Sequence, residues 1–214
     1  MDGWSAAAVA AVVGAAVVLG AAAGRLSRLL LARLRRGTRL PPWPLEAATA
    51  VLAGAGCLLT IDQPGRLLLV CWLSWWGAAL AAVDLRHHRL PDALTVPGIG
   101  GSAGLVLLAT LIDADSGNVL RGLICAVVTS GLFAMLALAA PAAMGWGDVK
   151  LVASLALLTG YVGVPTLVLA LACGFVLAAV VALAGIALRH WTMRSAIAFG
   201  PFLIAGSWLA LVLS

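Results

Sequence analysis

Long apolar runs alternate with short charged breaks from one end of the chain to the other. Runs at about residues 4–24, 45–61, 67–83, 94–112 and 119–140 are each close to the length that crosses a bilayer. Between Lys150 and Arg189 no charge occurs, a stretch too long for one helix and sufficient for two short ones. Gly160, Gly163 and Pro165 mark the turn there, and a last run covers about residues 197–213. The pattern predicts an all-α membrane bundle of about eight helices, the sixth from Val149 to about Thr159. Helices are required because hydrocarbon offers an open backbone no other partner.

Composition agrees. Of 214 residues, 64% are hydrophobic and 10% are charged, against about 25% charged in soluble domains. A water-soluble globular protein, a disordered chain and a fibrous one are excluded. The +5 net charge comes from twelve arginines and one lysine, Lys150, against eight acidic residues. Its distribution sets orientation. With the Arg25–Arg39 stretch in the cytoplasm, the inner loops hold eleven basic residues and the outer ones only Arg66 and Arg121. Both termini are thus expected outside. A single domain is expected over 1–214: first span 1–24, basic cytoplasmic loop 25–44 and a core over 45–214. The start lacks the basic region of a signal peptide, so its apolar run reads as a retained span. Cys57, Cys71, Cys125 and Cys173 all fall in apolar runs without CxxC spacing, which indicates no zinc site and no disulfide framework.

Acidic residues are few enough to take singly. Asp2, Asp62, Asp113 and Asp115 read as solvated outer charges. Glu46 falls in the first turn of the second span, favoured there by the helix dipole, and Asp92 after Pro91 reads as an N-cap. His87, His88 and His190 read as solvated loop residues. Asp84 ends the third span, and Asp148 lies in Gly145-Trp-Gly-Asp-Val-Lys150 at the start of the sixth. The topology places both at cytoplasmic helix ends, where an ionisable group marks a functional site by default. Gly145 and Gly147 allow close approach. Two adjacent carboxylates cannot both ionise cheaply, so one keeps a proton while the other activates water against a peptide carbonyl. That chemistry needs no metal and no cofactor. From the helix ends, Asp84 is expected to be the acid and Asp148 the base.

The Leu90-Pro-Asp92 block after Asp84, the Gly145–Lys150 block, and Phe199-Gly-Pro-Phe-Leu203 in the last span together resemble the bacterial type IV prepilin peptidases. Pro44-Leu45-Glu46 is similar to an opening common in that family. The resemblance implies a membrane aspartic peptidase of the bacterial cytoplasmic membrane that removes leaders at the cytoplasmic face. It implies Asp84 and Asp148 as the catalytic pair, with Gly145, Gly147 and Lys150 as supporting motif positions. The partners implied are a pilin-like precursor with a single apolar helix and the lipid bilayer, not nucleic acid. Larger family members carry a cysteine-bearing zinc segment after the first span, which serves N-methylation. The cysteine-free Arg25–Arg39 loop implies cleavage without methylation. Ala198 stands where the family often has proline. A transporter using the two aspartates as a relay is the alternative, and it expects charges near the bilayer midplane and a paired repeat.

Overall fold

The computed structural model describes residues 5–33, 40–87, 90–113, 117–141, 144–189 and 198–214. Regular structure among them is entirely helical: α1 (Ala6–Arg33), α2 (Pro44–Thr60), α3 (Pro64–Trp72), a π-helical turn (Leu73–Gly77), α4 (Ala78–His87), α5 (Asp92–Asp113), α6 (Gly117–Ala139), α7 (Trp146–Val162), α8 (Val164–Ala187) and α9 (Gly200–Leu213). The stretch Pro64–His87 is one continuous rod. By length and composition, five helices can cross a membrane: α1, that rod, α5, α6 and α8. With α2 and α9 as shorter apolar helices and a surface rich in exposed Val and Leu such as Val18, Leu19, Leu111 and Leu183, this is a multi-pass membrane protein.

The uncharged stretch after Lys150 does divide, at Gly163 between α7 and α8. Helix α7 is longer than expected, starting at Trp146 and ending at Val162. One boundary differs more. The basic stretch expected as a loop from Arg25 is helical as far as Arg33, because α1 rests on α2 along its glycines. A Cβ on Gly20 would lie 2.6 Å from the Thr49 carbonyl oxygen, and one on Gly24 would meet the Thr49 hydroxyl. Small residues four apart let two helices in lipid touch backbone to backbone. Glu46 secures the same pair beyond the dipole effect: its Oε1 accepts from Arg28 Nε at 2.6 Å and its Oε2 from the Trp43 N–H at 3.0 Å.

The Pro64–His87 rod is the most enclosed of the five long helices, 61% buried over its most apolar window against 6% for α1. Its tryptophans explain how it is held. Trp72 donates to Ser102 of α5, Trp75 to Ser27 of α1 and Trp76 to the Leu94 carbonyl of α5, while Trp208 of α9 donates to Ser74. An indole N–H inside lipid has no water to bond, so each fixes the rod to a particular neighbour. The π-turn over Leu73–Gly77 adds a residue to the turn and resets the rotation of everything after it. Asp84 follows two turns later.

At the opposite end of the rod, two polar residues hold more than the sequence suggests. Asp113 is not merely a solvated charge. Its Oδ1 accepts the Gly65 N–H at 3.2 Å, at the start of α3, and its Oδ2 accepts from the Tyr161 hydroxyl at 3.5 Å. Arg121 of α6 donates to the carbonyls of Gly160, Tyr161 and Val162, the unpaired C-terminal acceptors of α7. Arg121→Leu leaves those acceptors without their guanidinium. The expected cost is about 1–3 kcal/mol, seen as a lower unfolding midpoint of the detergent-solubilised protein with the opposite end of the bundle unaltered. Asp2, Asp115, His88 and His190, expected as solvated charges and loop residues, lie outside the described residues.

Candidate active site

Three helix ends converge at the other end of the bundle. Asp84 comes from the last turns of α4, Asp148 from the first turn of α7, and Gly200 is the first residue of α9. Asp84 is 4% exposed. Its Oδ2 accepts the backbone N–H of Gly200 at 3.1 Å. A Cβ on Gly200 would stand 2.7 Å from that oxygen and 3.4 Å from Leu151 Cδ2 of α7. Only glycine brings the backbone this close. Asp148 is half-buried and lies within electrostatic reach of Asp84. Its N–H donates to the Gly145 carbonyl at 3.1 Å, closing the first turn after Gly145, an N-cap in extended conformation.

The two aspartates reach this point because their flanking segments pack on each other. A Cβ on Gly147 would lie 2.9 Å from Leu90 Cβ, so this glycine admits the Leu90-Pro91-Asp92 segment that follows Asp84. Lys150 Nζ bonds Asp92 Oδ1 at 2.5 Å and ties the start of α5 to the first turn of α7. Asp92 thus does more than stand at the head of α5. Both partners are substantially exposed, so the ion pair adds only about 0–1 kcal/mol and acts chiefly on register. Gly145 differs from Gly147: the nearest atom to a Cβ there is Asp148 Oδ2 at 3.8 Å, ordinary contact. His87 is exposed beyond Asp84.

Of the residues expected at the site, Asp84, Asp148, Gly147 and Lys150 occupy one end of the bundle, with Gly145 at its rim. Sequence reasoning did not assign a role to Gly200. The available signal was Gly200-Pro201 at the head of the last apolar run, since proline in a first turn marks a helix start. Among the described residues, no group of three or more His, Cys, Asp or Glu is placed to hold a metal ion. The four cysteines are free thiols within helices.

A family model described as "Type IV leader peptidase family" matches residues 71–183, more than half the chain and inclusive of both aspartates. The chain belongs to this family. Curated proteins named "Prepilin leader peptidase/N-methyltransferase" are similar to it. The Aeromonas hydrophila protein is 29% identical over 192 residues, covering 87% of this chain and 64% of that relative. The Pseudomonas aeruginosa protein is 33% identical over 179 residues, covering 79% and 58%. The Dickeya chrysanthemi protein is 31% identical over 176 residues, covering 77% and 58%. The chain thus spans about three-fifths of the length of these relatives. No solved structure matches it. Nothing in these comparisons supports a transporter.

Proposed function

We propose that the protein is an aspartic endopeptidase that removes the leader of a pilin-like, single-span precursor at the cytoplasmic membrane face. The observation carrying this reading is the convergence of Asp84 and Asp148, from motifs distant in sequence, at one end of the bundle. The orientation follows from the basic residues: Arg25, Arg28, Arg33, Arg86 and Lys150 lie toward that end, and Arg66 and Arg121 toward the other.

The chemistry is a shared-proton hydrolysis. One carboxylate takes a proton from water as the oxygen attacks the scissile carbonyl carbon. The protonated partner delivers its proton to the carbonyl oxygen, so the tetrahedral intermediate carries no net charge. Collapse breaks the C–N bond. The nitrogen takes the proton first removed from water, and a hydroxyl of the intermediate returns its proton to the acid. A partly buried site strengthens each of these interactions. The substrate is presented as a backbone next to an apolar helix, because the protein around the site is itself almost wholly membrane-embedded.

The relatives' names pair cleavage with methyl transfer, and we assign only cleavage to this chain. What supports this is the interval between α1 and α2, residues 34–43, which is far short of the roughly 50 residues of an independent domain. Co-expression with a pilin-like precursor tests both parts. A gel is expected to show loss of the leader. Mass spectrometry of the mature product, made with S-adenosylmethionine present, is expected to show an unmethylated N-terminal amine. A gain of one methylene would contradict the assignment, and an intact precursor would contradict the peptidase reading.

A further inference from the structure

We infer that the groove between α2, the Pro64–His87 rod and α9 is the subsite for the precursor's apolar helix, holding its first two turns beyond the scissile bond. The inference rests on the peptidase reading and deepens it by naming where the substrate's membrane segment lies. It begins with a cavity of about 500 Å³. The floor is the rod, with Ala78, Ala81 and Ala82, and the walls are α2 from Pro44 to Leu52 and α9 from Pro201 to Leu209. Every lining side chain except Trp208 is aliphatic. The indole N–H of Trp208 is spent on Ser74 Oγ at 2.9 Å. The groove therefore offers an occupant apolar contact and no charge.

Position in the chain favours the substrate as that occupant. Leu85 and Pro201 line the groove, and each directly follows a residue of the candidate active site, Asp84 and Gly200. Those two are joined by the bond from the Gly200 N–H to Asp84 Oδ2. The groove is thus continuous with the catalytic end, and a helix laid in it brings its near end to the aspartates. Pro44 to Leu52 and Pro201 to Leu209 each cover eight residue steps, about 12 Å at about 1.5 Å per residue. Trp208 closes the far end by spanning from α9 to both other elements. Its Nε1 is held by the rod, and a Cβ on Gly56 of α2 would lie 3.5 Å from its Cζ2. Past this ring the occupying helix meets lipid.

The floor carries only methyl groups between two raised walls, so the ridge of a third helix can sink into it. Helices in lipid associate through such packing, having no hydrophobic gain from leaving an equally apolar solvent. The backbone at the groove's mouth is strained as well. Trp43 has φ 85°, a conformation rare outside glycine, and Pro41 and Pro44 on either side of it both line the groove. Glu46 Oε2 accepts the Trp43 N–H and holds the turn. Strain of this kind clusters at ligand clamps.

A second cleft, of about 410 Å³, lies between α1, the rod and α5. It is the weaker choice for an apolar helix. Arg33 and Ser27 are among its lining residues, and none of them adjoins Asp84 or Gly200 in the chain.

Cross-linking and kinetics in lipid nanodiscs test the subsite, using the full chain and a pilin-like precursor. For cross-linking, Ala205→Cys is placed in an Asp148→Asn chain whose native cysteines are replaced by alanine. A short bifunctional thiol reagent is expected to join it to a precursor cysteine in the second turn after the scissile bond. A precursor cysteine in the fifth turn is expected not to react, and neither is Val180→Cys on the exposed face of α8 with either precursor. For kinetics, Ala82→Phe and Ala205→Phe fill the groove from its floor and one wall. Each is expected to raise KM by about tenfold with kcat unchanged, while Val180→Phe leaves both values as in wild type. A variant that fails to fold leaves the cross-link to decide, since cysteine adds little bulk. Lipid as the sole occupant would give no second-turn cross-link and an unchanged KM, which would overturn the inference. Equal cross-linking from Val180→Cys would overturn it too. Wild-type enzyme that fails to cleave the precursor would instead bear on the peptidase reading, because the cross-link reports occupancy without cleavage.

Discussion

Asp84→Asn and Asp148→Asn are each expected to reduce leader cleavage by about a thousandfold or more, at unchanged membrane insertion. General acid–base catalysis contributes about 10²–10⁴-fold per group, and an amide can neither take a proton from water nor give one to the carbonyl. Neither substitution adds a heavy atom. The side-chain amide introduced by Asp84→Asn retains an oxygen that can accept the Gly200 N–H, so folding is spared. The loss should appear in kcat, because substrate binding depends on the apolar surroundings. Asp62→Asn, at the opposite end of the bundle, is expected to cleave normally. Asp113→Asn is expected to leave the chemistry intact and weaken the tie to Tyr161 and Gly65. Time courses of precursor cleavage by purified variants in nanodiscs check these values. Substantial turnover by either catalytic-pair variant would remove the pair from the mechanism.

The two glycines of the Gly145–Asp148 block are expected to respond in opposite ways. Gly147→Val places a branched side chain where even a Cβ would lie 2.9 Å from Leu90 Cβ and 3.4 Å from the Leu90 carbonyl oxygen. The Leu90–Asp92 segment must then move off α7, and Asp84, joined to it by a few residues, shifts relative to Asp148. Misplacement of a reacting group by about 1 Å costs on the order of a hundredfold, and a loss of that size in kcat/KM is expected. Gly145→Ala meets nothing closer than 3.8 Å, and its backbone is extended with φ −85°. It is expected to remain within a few-fold of wild type. Equal losses at both positions would show that the block acts through loop flexibility and not through the Leu90 contact.

These expectations separate what was written locally in the chain from what was not. Apolar runs and basic residues predicted an all-helical bundle with Asp84 and Asp148 at helix ends, since hydropathy and charge act through the nearest few residues. The split at Gly163 was equally legible from the uncharged stretch around it. Contacts between distant segments were not. Gly147 against Leu90, Lys150 with Asp92 and the α9 N-terminus on Asp84 each join residues from different helices, and nothing in either local sequence names its partner. The extension of α1 to Arg33 was hidden for the same reason: arginines read as a loop until Gly20 and Gly24 are placed on α2. Asp113 looked like a surface charge because its partner, the Gly65 N–H at the head of α3, has no side chain to signal it.

The most direct test of the central claim, that the two distant aspartates form one site, is a cross-link. Asp84→Cys and Asp148→Cys are combined in a chain whose four native cysteines are replaced by alanine. A protease site is inserted between α5 and α6, and membranes are treated with a short bifunctional thiol reagent. After proteolysis, the two fragments are expected to stay joined on a non-reducing gel, while an Asp62→Cys/Asp148→Cys pair, at opposite ends of the bundle, is expected to separate. Fragments that separate in the first pair, although each cysteine alone reacts with the reagent, would contradict the account.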